Sequence, residues 1–163
     1  MRTPMLTTPL LLLAAATTAQ EATRPAAEKP HAVIARPNAV AWRPAPASLP
    51  AGARLAVLEG DPAQPGPFTM RLWMPAGYEI RPHYHPAIEH VTVLRGTFHV
   101  GMGERFDRNA AAALPAGTFA FLQPGVRHYA FTDAETVIQL HGVGPWKLIY
   151  VNPADDPSTR KVP

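Results

Sequence analysis

The sequence predicts an all-β fold, and three features of its 163 residues indicate it. The chain contains 20 prolines and 11 glycines but only 17% charged residues, which is typical of short strands joined by many turns. Stretches such as residues 68–74 alternate apolar and other side chains with the period of two that strands show. The length suits one domain that is large enough to bury a core without disulfide bonds. We therefore expect a single β-domain with little helix.

Composition also excludes several classes of site. The chain has no cysteine, so disulfides, thiolate nucleophiles and zinc–thiolate sites are excluded, and a bound metal must be held by nitrogen and oxygen. The formal net charge is +3, but the basic residues are scattered and form no cluster interleaved with aromatic residues. The sequence therefore predicts no nucleic-acid partner.

The first residues have the pattern of an export signal. Arg2 precedes an apolar run at residues 10–16 that is too short to span a bilayer, and small residues follow the run. We therefore expect residues 1–19 to be a signal peptide that is removed, which leaves no stable membrane anchor; an unremoved anchor is the alternative. Export would place the protein in the periplasm or outside the cell.

The rest of the chain divides into three parts by composition. Residues 20–38 are rich in Ala, Pro, Glu and Lys and predict a flexible lead-in, residues 39–152 form the domain, and residues 153–163 form a loose polar tail. Apart from the strands discussed next, strands are expected at residues 39–42, 54–58, 68–74, 97–100, 136–141 and 146–151, with a short helical turn within residues 104–113.

One run between two glycines, Gly77 and Gly96, carries the strongest functional signal. His83 and His85 lie two residues apart, so on an extended strand both imidazoles point to the same face, roughly 7 Å apart. A proline then turns the chain, and Glu89 begins the next strand beside the imidazoles. The glycines allow the sharp turns expected on either side of this short hairpin.

A third imidazole lies downstream. His128 follows a Pro-Gly turn and begins a run rich in aromatic residues, which predicts a strand. Three histidines and one glutamate on neighbouring strands would offer three nitrogens and one oxygen to a divalent transition metal. An octahedral ion in such a site keeps two positions open for water or substrate.

The spacing of these residues resembles the first sequence motif of the cupin superfamily, G-x5-H-x-H-x3-4-E-x6-G. The residues that match it are Gly77, His83, His85, Glu89 and Gly96. The resemblance covers about residues 55–151, which is most of the chain after the predicted signal peptide.

The second cupin motif, G-x5-P-x-G-x2-H-x3-N, is matched less completely. Gly117, Gly125 and His128 are in place. The proline is displaced to Pro124, and Thr132 replaces the final asparagine. These departures affect a turn and the end of a strand, whereas the metal-ligating histidine of the motif is kept.

The resemblance implies a fold, a metal and a class of activity. The fold is an antiparallel double-stranded β-helix, also called a jelly-roll barrel, with a single cupin domain. The resemblance implies one divalent transition metal, with Fe, Mn, Ni, Cu and Zn not distinguishable by ligand type. Its ligands are His83, His85, Glu89 and His128.

The implied activity is that of a metal-dependent enzyme of the dioxygenase type, an oxidoreductase acting on a small oxygenated organic molecule. Two alternatives remain open because a fold does not determine a reaction: a non-catalytic cupin that binds a small molecule, and a metal-dependent isomerase or lyase. No residue beyond the metal ligands is assigned a catalytic role.

Side-chain alternation identifies candidate pocket residues. The default places the apolar set that includes Met70 inward, and Ile80 is a further apolar candidate. For the strand that contains Gln139 and His141, both alternations are open. The default buries the aliphatic side chains, whereas the alternative makes Gln139 and His141 polar pocket groups that orient a substrate or move a proton. The apolar candidates favour a small, rather apolar ligand or substrate.

Cupins often dimerise through their outer sheets, so the resemblance also implies a homodimer as one option. Trp73, Tyr129 and Phe131 have the alternation of an outward face and would supply an apolar surface. A second core layer that covers these side chains is the alternative.

Overall fold

Eleven β-strands form two antiparallel sheets in residues 32–159, the part of the chain that the computed structural model describes. The six-stranded sheet contains, in spatial order, β1 (Arg43–Pro44), β2 (Arg54–Glu59), β3 (Gly66–Met74), β10 (Thr136–Gly144), β5 (Glu89–Arg95) and β8 (Phe119–Leu122). The five-stranded sheet contains β11 (Ile149–Tyr150), β4 (Glu79–Tyr84), β9 (His128–Phe131), β6 (Thr97–Met102) and β7 (Ala112–Pro115).

Strands that are distant in sequence pair with one another. Strand β10 lies between β3 and β5, and β4 pairs with β9. The turn that connects β5 to β6, which belong to different sheets, lies at Gly96, whose φ of 76° favours glycine and whose Cβ, if present, would lie 2.5 Å from the Glu135 carbonyl oxygen. Two facing antiparallel sheets, each built from strands that are distant in sequence, confirm the predicted jelly-roll fold.

The core lies between the two sheets, and strand alternation decides what enters it. On β3, Phe68, Met70, Leu72 and Met74 are buried, while the residues between them are half-buried on the outer face. Valine and isoleucine side chains of β5, β4 and β10 pack against this row. The default alternation predicted for residues 68–74 is therefore the one that the structure has.

The strands at the edges of the sheets differ from the prediction. The strand expected at residues 39–42 is replaced by a 3-10 helix, Pro37–Ala39, and the first strand starts at Arg43. Proline at the start of that helix presets its φ, which favours the turn. The strand expected at residues 146–151 shortens to Ile149–Tyr150, because the Trp146 N–H donates to the Pro62 carbonyl (2.6 Å) and not to a neighbouring strand.

The helical turn expected within residues 104–113 is a single 3-10 turn, Arg108–Ala110. The Asp107 side chain caps it by accepting a hydrogen bond from the Asn109 N–H (2.9 Å). The alanines that follow, which suggested more helix, form strand β7 because they pair with β6. Tertiary pairing thus outweighs the helix propensity of alanine here.

The aromatic residues proposed for an outer dimer surface have different environments. Tyr129 and Phe131 are 1% and 2% exposed, beneath Phe106, whose ring centroid lies 5.1 Å from that of Tyr129. The Arg108 guanidinium covers Phe131 at 4.0 Å from the ring centroid. These two side chains therefore form a second core layer, which was the alternative to an outer dimer surface, whereas Trp73 is half-buried on the other sheet.

The ends of the chain are described only in part. The predicted signal peptide, residues 20–31 of the predicted lead-in and residues 160–163 of the predicted tail lie outside the described residues. Residues 32–36 have no regular structure, and the tail contains two 3-10 turns, Pro153–Asp155 and Pro157–Thr159. No helix within the described residues has the length and apolar character needed to cross a membrane.

Candidate metal centre

The sheet register brings the three predicted histidine ligands together. On β4, His83 lies directly opposite His128, the first residue of β9, and their ring centroids are 4.2 Å apart. His85 follows the end of β4, where its carbonyl accepts a hydrogen bond from the Gly125 N–H (2.9 Å) in the turn before β9. One ring nitrogen from each of the three histidines lies within 4.8 Å of the others.

Glu89 approaches two of these imidazoles from the opposite sheet. It is the first residue of β5, and one of its carboxylate oxygens lies 3.5 Å from His85 Nε2 and 3.4 Å from His128 Nε2. The carboxylate is buried, as are the three imidazoles. The three imidazoles thus converge between the two sheets, and the Glu89 carboxylate adjoins two of them.

The outer nitrogen of each imidazole is hydrogen-bonded to a backbone carbonyl oxygen. The acceptors are Arg81 for His83 (2.7 Å), Lys147 for His85 (2.8 Å) and Val126 for His128 (3.0 Å). A carbonyl oxygen only accepts, so each Nδ1 carries the proton and donates it. The Nε2 atom of each ring therefore presents its lone pair to the centre, as a metal ligand must.

This arrangement leaves a group of acceptors that face one another. When His85 and His128 are neutral with the proton on Nδ1, their Nε2 lone pairs face the carboxylate of Glu89 and no hydrogen lies between them. His85 Nε2 is buried and has no hydrogen-bond partner among the described residues. Buried acceptors without a donor are costly, and a divalent cation at their meeting point would satisfy all of them. The residues present therefore fit a metal ion.

The protonation states also suit a metal. Burial, together with the positive charge that His128 and His85 would carry, holds the pKa of His83 well below its ordinary value, and burial lowers the pKa of His85. Burial alone would raise the pKa of Glu89, but a hydrogen bond from His128 and the positive charge that His85 and His128 carry when protonated outweigh it and leave that pKa lowered. At neutral pH, His83 and His85 are therefore neutral and Glu89 is ionised.

A cavity of about 410 Å³ opens onto these four side chains, and the rest of its wall is mostly apolar. Met70 and Ile80, the apolar pocket candidates, both line it. Outside the four proposed ligands, Ser48 and Lys147 are the residues on this wall that carry a hydroxyl or a charge. The cavity therefore suits a small organic molecule with few charges.

The polar pocket candidates lie elsewhere. Gln139 and His141 are on the outer face of the six-stranded sheet, where Gln139 accepts a hydrogen bond from Arg71 Nε (3.1 Å) and His141 stacks on His90 at 4.8 Å. Neither lines the cavity. Burial of Ile138 and Leu140 decides the alternation, because two aliphatic side chains gain more from the core than an amide and an imidazole would.

Sequence reasoning missed two residues that contact His85 although they are far from it in the sequence. The Trp146 indole stacks on the His85 ring, with centroids 4.1 Å apart and planes 16° apart, and Lys147 supplies the carbonyl that His85 Nδ1 donates to. Both residues were assigned to a strand, and no spacing rule links them to His85. The cavity wall formed by Pro46, Ser48 and Leu49 was missed for the same reason.

Comparisons with known proteins agree with this geometry. The family model for the ChrR cupin-like domain matches residues 30–147. No curated protein sequence matches the chain significantly.

Solved structures of similar fold share little sequence with it. An acetylacetone dioxygenase from Acinetobacter johnsonii is 17% identical, with a TM-score of 0.58 over 78% of this chain and 82% of that one. The polyketide cyclase RemF from Streptomyces resistomycificus is 14% identical, with a TM-score of 0.59 over 77% and 89%. An RmlC-like cupin from Shewanella frigidimarina NCIMB 400 is 18% identical, with a TM-score of 0.54 over 72% and 94%. At these identities the structures show a common fold alone. Because the family match spans well over half of the chain, the protein belongs to the ChrR cupin-like domain family of the cupin superfamily.

Proposed function

We propose that this protein is a divalent-metal-binding cupin that acts as a dioxygenase-type enzyme on a small, largely apolar, oxygenated molecule. One observation carries the proposal: three buried imidazoles converge on the wall of an otherwise apolar cavity, with a buried carboxylate beside two of them. His83, His85, Glu89 and His128 would hold the ion. A bound redox-active ion would polarise substrate oxygens and support chemistry with dioxygen.

Charge and cavity lining favour a particular class of substrate. A divalent ion with one carboxylate ligand carries a formal charge of about +1, which favours an oxygen substrate that is anionic or readily enolised. The surrounding wall contributes chiefly aliphatic side chains such as Met70, Leu72 and Ile138, which favour a hydrocarbon body. Diketones, flavonols and catechols combine these properties.

The role of the chain in this proposal is to bind, orient and exclude water. The buried aliphatic wall excludes water from the substrate body, which strengthens electrostatic contacts at the ion. Lys147 is exposed and also lines the cavity, so we expect its positive charge to attract an anionic substrate to the opening. Acetylacetone, the compound named for the Acinetobacter neighbour, is a small diketone and is therefore the first substrate to test.

A second candidate function is small-molecule binding without turnover. Outside the four proposed ligands, Lys147 is the one acidic or basic residue among the described side chains that line the cavity. A reaction that needs a separate general base, as many isomerisations and eliminations do, has no other candidate there. This observation favours either chemistry supplied by the metal or binding alone.

Dioxygen uptake separates these candidates. The protein is loaded in turn with Fe, Mn, Ni, Cu or Zn, its metal content is measured, and uptake is followed with acetylacetone, flavonols and catechols. The proposal expects uptake with a redox-active metal, none with zinc, and none with His85→Ala loaded in the same way. A ligand that raises the melting temperature of the loaded protein without turnover under any metal would instead support the binding function.

We also propose that the protein is exported and works in the periplasm or outside the cell. The proposal rests on the pattern of residues 1–19, which lie outside the described part of the chain. Fractionation of cells that express the full chain is expected to place it outside the cytoplasm with a mature mass that lacks these residues. Recovery of the intact chain from the cytoplasm would contradict the proposal.

A further inference from the structure

The three imidazoles differ in how their orientation is held. His83 and His128 each donate from Nδ1 to the carbonyl oxygen two residues earlier, Arg81 and Val126 respectively, so their own strand segments orient them. His85 donates to the carbonyl of Lys147, 62 residues away in sequence. Its orientation therefore depends on the position of a segment that lies outside the strands.

Trp146 makes the second contact from that segment. Its indole lies nearly parallel to the His85 ring, with centroids 4.1 Å and planes 16° apart, so it covers one face of the imidazole. Together, Trp146 and Lys147 hold His85 on one ring face and at one ring nitrogen.

The segment is itself anchored to the six-stranded sheet and its loops. The backbone N–H of Trp146 donates to the Pro62 carbonyl (2.6 Å), and its indole packs against Phe68, with ring centroids 5.8 Å apart. Phe68 is 2% exposed and belongs to the core. The position of the indole is therefore set by buried structure and not by a mobile surface contact.

We propose that Trp146 is a positioning residue that holds His85 in the orientation needed to bind the metal and thereby sets the metal affinity of the centre. This inference rests on the metal-binding part of the proposed function and not on its oxygenase part. A cation bound at Nε2 withdraws electron density from the imidazole. The attraction between the imidazole and the electron-rich indole face is therefore greater in the metal-loaded protein than in the metal-free protein. The stack therefore stabilises the metal-loaded state more than the metal-free state.

Trp146 also lines two spaces. One is the cavity that holds the candidate centre, and the other is a groove of about 550 Å³ lined also by Pro86, Ala87 and Val143. Trp146→Ala would open the cavity wall as well as remove the stacked ring. The effect of losing the stack could then not be separated from the effect of water entering the cavity. Leucine and phenylalanine are therefore the informative replacements, since both keep the wall largely filled.

The test compares zinc affinity, measured by competition with a chromophoric chelator, for the wild type, Trp146→Leu, Trp146→Phe and Trp73→Leu. Removing a group that supports a metal-ligating histidine lowers metal affinity by 10-fold to 100-fold in general. Trp146→Leu is therefore expected to weaken zinc binding by about tenfold. Trp146→Phe keeps a stacked ring and is expected to recover most of the loss. Trp73 lies on the outer face of the sheet beneath Arg54, so Trp73→Leu is expected to bind zinc as the wild type does.

The visible absorption spectrum of the cobalt-loaded proteins supplies a readout that depends on ligand geometry. A changed spectrum in Trp146→Leu, restored in Trp146→Phe, supports positioning. A merely structural role would lower the melting temperatures of the metal-free and loaded proteins equally and leave both zinc affinity and the cobalt spectrum unchanged. That result, in a wild type that binds zinc, would overturn this inference alone. A wild type that does not bind zinc would overturn the proposed function as well.

A second measurement leaves the centre intact and covers the case in which Trp146→Leu does not fold. The chain has 3 tryptophans, so the double variant Trp42→Phe/Trp73→Phe keeps Trp146 as its one indole fluorophore. Zinc does not quench fluorescence by electron transfer, so a change in emission would report the altered His85 ring beneath the indole. We expect a change that saturates at one zinc per chain, whereas emission that zinc leaves unaltered would contradict the inference.

Discussion

At the scale of single residues, Glu89 determines the charge of the candidate centre. The other three proposed ligands are imidazoles, so its carboxylate is the one anionic group among them. Glu89→Gln keeps the shape of the side chain but removes that charge. We expect metal affinity to fall on the order of a hundredfold, at the upper end of what loss of a supporting group alone produces.

Zinc competition with a chelator measures the effect of Glu89→Gln. Glu59→Gln is the matched control, because Glu59 is exposed and accepts one hydrogen bond, from the Thr69 hydroxyl at 3.2 Å, outside the cavity. Equal affinities of the wild type and Glu89→Gln would remove the carboxylate from the centre.

The protonation of the centre predicts how the metal-free protein responds to acid. The pKa of His83 is lowered by burial and by the neighbouring imidazoles, and the pKa of His85 is lowered by burial. Below about pH 6.5 these rings bind protons in the unfolded chain but not yet in the folded one, so unfolding takes up protons and acid favours it. This contribution is fully present above about pH 6.5 and is lost as the pH falls through the folded pKa values.

The lowered pKa of Glu89 acts in the same direction at more acid pH, because the folded protein also resists protonation of that carboxylate. Urea denaturation of chelator-treated protein at several values between pH 8 and pH 5 measures the contribution of His83 and His85. The free energy of unfolding is expected to decrease steadily below about pH 6.5, and less steeply in His83→Gln. Stability that rises on acidification through this range would show that the imidazoles are protonated in the folded state.

At the scale of the elements, the segment before β2 closes one side of the cavity. Ser48 and Leu49 line the wall, and two hydroxyl groups hold this segment to the five-stranded sheet: Tyr78 donates to the Pro50 carbonyl (2.6 Å) and Tyr150 to the Ser48 carbonyl (2.9 Å). Burial and the neighbouring Tyr150 raise the pKa of Tyr78 far above its usual range, so its hydroxyl keeps the proton that it donates. The two hydrogen bonds therefore fix the segment across the cavity at all ordinary pH values.

Removing one of these hydrogen bonds tests the role of the segment. Tyr78→Phe leaves the partly buried Pro50 carbonyl without this donor and is expected to lower the free energy of unfolding by about 1 kcal/mol. Urea denaturation measures it, with Tyr84→Phe as the control, since Tyr84 is half-buried and its hydroxyl has no hydrogen bond within residues 32–159. Loss of stability in the control equal to that in Tyr78→Phe would show that a generic hydroxyl effect is responsible.

The elements also show what a sequence can and cannot predict. The central strands were predictable because their alternation is regular and the glycines between them require turns. The proximity of the three histidines and Glu89 was predictable because their spacing lies within two short motifs. Gln139 and His141 were ambiguous because either alternation of β10 buries two residues, and the neighbouring strands decide which. The stack of Trp146 on His85 had no sequence signal, since it depends on a loop that tertiary packing alone places.

At the scale of the whole molecule, the candidate centre joins the two sheets. His83 and His128 belong to strands of the five-stranded sheet, whereas Glu89 belongs to the six-stranded sheet, and β4 and β5 are connected through the turn that follows His85. An ion bound to all four side chains would therefore cross-link the sheets at the cavity. Loss of the ion would remove its attraction to the Nε2 atoms and the Glu89 carboxylate. These buried acceptors would then face and repel one another.

Metal removal is thus expected to lower the stability of the entire domain. At a free metal concentration of 100 Kd, binding to the folded state alone contributes about 2.7 kcal/mol to the free energy of unfolding. The melting temperature is expected to rise with added zinc, to fall after chelation, and to respond much less in Glu89→Gln, which should bind the ion weakly. Scanning calorimetry of the wild type and this variant over a zinc titration measures the effect. A melting temperature that does not depend on zinc would mean that no ion links the sheets, because a ligand that binds the folded state must stabilise it by mass action.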